Sequence, residues 1–144
     1  MEQEDYIKRQ IDQLGRVLGK ILADLLGLKA NGMVSEGIEP AKQNLKTGAD
    51  LDVGELITIP ADKFIRSLTD TRKLNNDNLE NLADILLLFA EESGEVNANA
   101  GEMRKLYERS LILFNHLDKT SSLYSYERHM KVEKIKNVLR FQSS

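Results

Sequence analysis

Over residues 79–92, Leu79, Leu82, Ala83, Ile85, Leu86, Leu87, Leu88, Phe89 and Ala90 leave no side of a helix polar. A helix that is apolar all round must be enclosed by other elements. The segment is therefore the predicted centre of the fold, and the rest of the chain has to supply its cover. Leu51, Val53, Leu56, Ile57 and Ile59 briefly suggest a strand, but no partner strand can be found for them. The expected class is all-α.

The cover is easiest to see at the start. Ile7, Ile11, Leu14, Leu18, Ile21, Leu25 and Leu28 recur at steps of four and three, the period of one helical face. Val17, Leu22 and Leu26 widen that face to about half the circumference at 100° per residue, more than one neighbour needs. Asp5–Arg9, Asp12–Arg16 and Lys20–Asp24 are i,i+4 pairs on the other side. The pattern predicts a helix over 4–28, closed by Asn31-Gly32. A second helix is expected over 33–46, with Gly48 as its stop and a bend or delayed start at Pro40. Two short helices fit 52–58 and 60–69, because proline is favoured at a first helical position.

After the central helix, Ser93-Gly94 and the residues up to Gly101 read as a turn. Met103, Leu106, Tyr107, Leu111, Phe114 and Leu117 mark a sixth helix, ending near Thr120. Ser125 is a credible N-cap for a seventh, which buries Val132, Ile135, Val138 and Leu139. No Ser/Gly/Pro-rich linker divides the 144 residues, so one helical domain of about seven helices is expected over 1–144.

Composition narrows the function classes. The chain has no cysteine, which removes disulfides, thiolate metal sites and thiol nucleophiles. A net charge of −3 argues against general affinity for nucleic acid or acidic membrane. The acidic start lacks the regions of a signal peptide, and the longest apolar run, 85–90, is far short of a membrane span. A soluble, cytoplasmic protein is expected.

The spacing of polar residues offers little chemistry. Gly15-Arg-Val-Leu-Gly19-Lys20 imitates a phosphate loop, but it is one residue short, Ile21 replaces the hydroxyl, and it lies inside a helix. Two His without Glu at the −3 position give no di-iron pair, and without Cys they give no zinc set. Glu91-Glu92 reads as a solvated helix end. His116 falls on the charged side of its helix with Lys105 and Arg109, and His129 borders an apolar face as a half-buried residue. Neither belongs to a recognisable catalytic set, so no enzyme, cofactor or metal is expected. Around the last helix, Lys119, Arg128, Lys131, Lys134, Lys136 and Arg140 face only Glu127 and Glu133. A solvated face is the simplest reading. An acidic protein partner comes second, and nucleic acid stacked on Tyr124 or Tyr126 third.

Asp5-Tyr-Ile-Lys-Arg-Gln-Ile-Asp-Gln-Leu14, the central helix and Tyr124-Ser-Tyr-Glu-Arg128 resemble a family of small uncharacterised helical proteins of gut bacteria, a domain of unknown function. The resemblance spans nearly the whole chain and implies no activity. A weaker likeness is to tetratricopeptide helix pairs. It rests on Leu82, Ala83 and Leu86 in a first helix, and on Met103, Tyr107 and Ser110 in a second. The connection is about one helical turn too long for that repeat, and no second copy occurs at its period. This likeness implies stacked antiparallel helix pairs.

Two features carry information beyond the fold. Arg128 lines up with Val132, Ile135 and Leu139 on the apolar side of its helix, and a buried guanidinium needs a partner. Asp84 is the first candidate and Asp118 the second, either giving an ion pair that fixes helix register. The alternative is an anion pocket made by Arg128 with Tyr107, Tyr124 and His129. The second feature is Gly15 and Gly19, which together sacrifice about 1–2 kcal/mol of helix stability against alanine. They lie beside Leu22 and Leu26, either under the second or sixth helix or at a homodimer interface. The leading expectation is a non-enzymatic interaction or scaffolding domain, possible homodimer included. A small-ligand or regulatory module using the Arg128 region is the runner-up.

Overall fold

The computed structural model describes residues 2–95 and 100–143, with side chains over 4–92 and 101–141. Among these residues the chain forms seven α-helices and no strand. They are α1 (Glu2–Ala30), α2 (Val34–Ala49), α3 (Val53–Leu56), α4 (Ala61–Arg66), α5 (Asn76–Glu95), α6 (Ala100–Thr120) and α7 (Tyr126–Ser143), with a π-helical turn at Ser67–Thr71 extending α4. The all-α class is as the periodicity predicts. No described helix is long and apolar enough to cross a membrane.

The all-round apolar segment sits where its chemistry requires. Leu79, Leu82, Ala83, Ile85, Leu86, Phe89 and Ala90 are fully buried, and α5 packs against α1, α2 and α6. The α1–α2 pair is antiparallel: Gly48 lies against Val17, and Gly37 against Leu25 and Leu28. α5 runs parallel to α1, with Asn78 beside Gly15 at one end and Lys29 paired with Glu91 at the other. α6 returns antiparallel, the Ser110 hydroxyl donating to the Ala83 carbonyl at 2.8 Å in the buried seam. α7 packs on α6, burying Val132 and Ile135 and half-burying Val138 and Leu139.

Three helix ends use one device. After α1, Gly32 takes φ +71° and the Met33 amide donates to Leu28 O. After α2, Asp50 takes φ 54° and the Leu51 amide donates to Leu45 O. After the π turn, Lys73 takes φ 62° and the Leu74 amide donates to Leu68 O. Each is a left-handed residue followed by a bond that closes the helix end: the first is the six-to-one bond of a Schellman cap, and the other two are one residue wider. In the second and third, both hydrophobic members, Leu45 with Leu51 and Leu68 with Leu74, are buried.

Three helix starts are capped by side chains. Ser125 Oγ accepts the Arg128 amide at 3.1 Å, as expected, Asn75 Oδ1 accepts that of Asn78, and Asp52 that of Glu55. Three expectations need correction. α2 starts at Val34, ahead of Pro40, which stands in its second turn. The carbonyl that Pro40 leaves without an amide belongs to exposed Glu36, where water can satisfy it. Gly48 does not stop α2; a Cβ there would lie 3.1 Å from Val17, so the glycine serves α1–α2 packing. Ser93-Gly94 lies inside α5, and residues 96–99 of the expected turn fall outside the described residues.

Candidate functional site

α1 and α7 flank the same side of α5 and leave a groove between them. Leu22, Leu26 and Lys29 line it from α1, Asp84, Leu87, Leu88 and Glu91 from α5, and Lys131 and Lys134 from α7. Its volume is about 180 Å³. Leu87 and Leu88 are 6% exposed at its floor, whereas Leu26 is 48% exposed at its rim.

Charge is arranged in a row along this face. Lys131 Nζ donates to Asp84 Oδ1 at 2.7 Å. Lys134 Nζ reaches Glu91 Oε1 at 3.1 Å, and Lys29 Nζ approaches the other oxygen of Glu91 at 3.8 Å. Burial pushes the Asp84 carboxyl above its ordinary value, an effect that Lys131 only partly offsets. Lys29, Lys131 and Lys134 thus surround an apolar floor and share two carboxylates.

One turn toward the start of α7, Arg128 is buried as its position predicts. Its partners differ from the expectation. Nε and Nη2 donate to the two oxygens of Glu80, at 3.2 and 2.8 Å, and Nη1 to Asp118 Oδ1 at 3.0 Å. The hydrogen bonds to Glu80, more than any other contact, raise the Arg128 pKa above its ordinary value. Asp118, the second candidate, is a partner; Asp84 is not, because it faces Lys131 one turn further along. A planar fork needs two adjacent oxygens to be held at both edges, and Glu80 supplies them.

The other proposed members do not converge on Arg128. Tyr107 is buried on α6, about 16 Å along the helix axis from Asp118. Tyr124 is 76% exposed, its ring 6.0 Å from that of His129, which is also exposed where half-burial was expected. His116 is half-buried. Gly15 is closed off by Asn78 Oδ1, 3.1 Å from where its Cβ would be, so its close neighbour is α5, not α2 or α6. Gly19 has nothing within 4 Å of that position, and Leu22 and Leu26 border the groove.

Two residues escaped the sequence reading. Glu80 carries the main contact to Arg128, yet its row was legible: acids at 80, 84 and 91 on α5 against bases at 128, 131 and 134 on α7. Arg109, expected on a charged face, is 8% exposed. It donates to the carbonyls of Ile59 at 2.8 Å and Ile57 at 3.4 Å and lies over the Phe64 ring. Its Nε has no hydrogen-bond partner among the described residues. Arg109 therefore ties the α3–α4 connection to α6. Among the described residues no group of three or more His, Asp or Glu could hold a metal ion. Compared with protein-family models, with curated proteins and with solved structures, the chain finds no match in any of the three.

Proposed function

We propose that the protein is a non-enzymatic helical interaction module, and that the groove between α1 and α7 is where it meets a partner. The observation that carries this reading is the uncovered apolar strip of Leu22 and Leu26 facing Leu87 and Leu88 inside a lysine rim. Apolar surface at the centre with charge at the rim is the general anatomy of a protein interface. The volume, about 180 Å³, is below the roughly 300–1,000 Å³ of small-molecule sites, and suits a side chain presented by another helix. The small-anion alternative gains nothing from Arg128, whose Nε and both terminal nitrogens are already bound by carboxylates.

A photoreactive amino acid in place of Leu26, in cells that make the protein naturally, tests the reading. Discrete cross-linked species are expected from this position and none from exposed Gln43 on α2. They should disappear when Lys134→Glu reverses the rim charge. No adduct at Leu26, or the same adducts from Gln43, would overturn the reading.

A further inference from the structure

The groove has a charge pattern as well as an apolar floor, and the pattern selects what can enter. Leu22, Leu26 and Lys29 follow at steps of four and three on α1, so one side of that helix presents two leucines and then a cation. Lys29 stands about 4.5 Å past Leu26 along the axis. α7 runs in the same direction as α5, because Arg128, Lys131 and Lys134 meet Glu80, Asp84 and Glu91 in that order. Lys29 and Lys134 therefore converge on Glu91 at one end of the groove.

The three lysines are not equally committed. Lys131 is held by its bond to Asp84 and also lies over the Phe114 ring, 5.8 Å from its centroid. Lys29 and Lys134, each more than half exposed, share the carboxylate of Glu91. That end of the groove holds one positive charge in excess. Beyond the other end the balance reverses: Glu80 and Asp118 share Arg128, and exposed Glu127 precedes it on α7.

We infer that the groove takes an acidic amphipathic helix of another protein, with a large apolar side chain set among Leu22, Leu26, Leu87 and Leu88 and an Asp or Glu, three or four residues away, between Lys29 and Lys134. The inference rests on the interaction reading above and names the partner's chemistry. An apolar anchor in a groove flanked by matched charge is a recurring way of recognising a helix. Residues three or four apart on a helix lie about 5–6 Å from each other on one face, which matches the step from Leu26 to Lys29. The added carboxylate gives Lys29 and Lys134 two carboxylates between them, so no charge is left over. At the opposite end an acid would meet Glu127 and the carboxylates around Arg128, which fixes where on the groove the acid sits. The exposed start of α1 from a second copy is a poorer match, because Lys8 and Arg9 stand beside Glu4 and Asp5 and leave no net negative charge.

Selection of helical peptides on the full chain tests this. A phage-displayed library of single helices, randomised along one face and uncharged elsewhere, is selected on the wild-type protein. The recovered helices are expected to pair a Leu, Ile, Met or Phe with an Asp or Glu three or four residues away. The strongest, synthesised with a fluorophore and followed by anisotropy, should lose binding to Leu26→Arg and bind about fivefold more weakly, or worse, to Lys29→Glu and to Lys134→Glu. Changing the peptide's acid to lysine should restore binding to the Lys29→Glu protein. Lys29→Glu leaves the pairs between α5 and α7 in place, and helical circular dichroism checks the folding of each variant.

Recovered helices that need Leu26 but carry lysine, or no charge, at those positions would overturn the inference and leave the interaction reading standing. A wild-type dimer that Leu26→Arg dissociates would also overturn it, by giving the groove to a second copy. Binding to vesicles of anionic phospholipid, abolished by Lys29→Glu together with Lys134→Glu, would overturn it in favour of a lipid surface. If no recovered helix responds to Leu26→Arg, this inference fails. If Leu26 then also gives no cross-link in cells, the interaction reading fails with it.

Discussion

Replacing Arg128 with alanine probes the arrangement that joins three helices. Its side chain is 9% exposed and spends three donors on Glu80 of α5 and Asp118 of α6. Breaking a fully buried ion pair costs about 3–5 kcal/mol, because the orphaned charge stays in a dry site. Here the orphans are not dry: the Glu80 and Asp118 side chains are 34% and 47% exposed. Water can take over most of what Arg128 gives them, which discounts the stranding cost toward that of a surface pair. What remains is the bidentate bond to Glu80, about 1.5–2 kcal/mol, and the lost packing of the arginine stem, about 0.5–1 kcal/mol. Arg128→Ala should therefore destabilise by about 2–3 kcal/mol. Urea unfolding followed by circular dichroism measures this, and double-mutant cycles assign it. Arg128 with Glu80→Gln should couple by about 1 kcal/mol or more, whereas Arg128 with Asp84→Asn should be additive within about 0.5 kcal/mol. A loss under about 1 kcal/mol, or stronger coupling to Asp84 than to Glu80, would refute the reasoning.

Three further outcomes follow from local geometry. Gly27 has open space at its missing Cβ, so Gly27→Ala should stabilise by about 0.5–1 kcal/mol; at Gly37 the same methyl would fall 2.4 Å from Leu28 Cδ1, and Gly37→Ala should cost about 1–3 kcal/mol in the same urea assay. Lys73 holds a left-handed conformation that suits glycine, so Lys73→Gly should gain up to about 1 kcal/mol and Lys73→Val should lose stability. Asp84 has its folded pKa above the unfolded 3.8, so the folded state holds that proton more tightly. Its contribution is fully present below pH 3.8 and lost as pH rises through the folded value. Asp84→Asn should therefore gain on wild type as pH rises from below 4 toward neutrality, and a relative gain by wild type would contradict this.

How much of this could be read in advance depended on whether a residue type matched its geometry. The end of α1 was legible because Gly32 is the residue a left-handed cap favours. The ends of α2 and of the π turn were not, since Asp50 and Lys73 adopt the same conformation without advertising it, and Gly48 misled by serving packing instead. The burial of Arg128 followed from its place among Val132, Ile135 and Leu139. Its partner did not follow, because Glu80 and Asp84 stand one turn apart on α5, and only the axial offset of α5 and α7 chooses between them. The burial of Arg109 is legible in its position, three residues after buried Leu106 and four before buried Leu113, although its charge alone points to the surface. The groove itself depends on α1 and α7 standing apart across α5, a distance that no single helix encodes.

The central position of α5 also bears on the order in which the chain leaves the ribosome. α1 and α2 are synthesised first, and Leu18, Ile21, Leu25 and Leu45, all buried in the finished fold, have only each other until α5 arrives. Between Ala49, the end of α2, and Glu95, the end of α5, lie 46 residues of synthesis. At about 5–20 residues per second that interval lasts roughly 2–9 s, during which the nascent hairpin offers its leucines to any chaperone nearby. Slow codons within 50–75, ahead of the helix that ends this exposure, would lengthen the vulnerable period without altering a single contact in the mature protein.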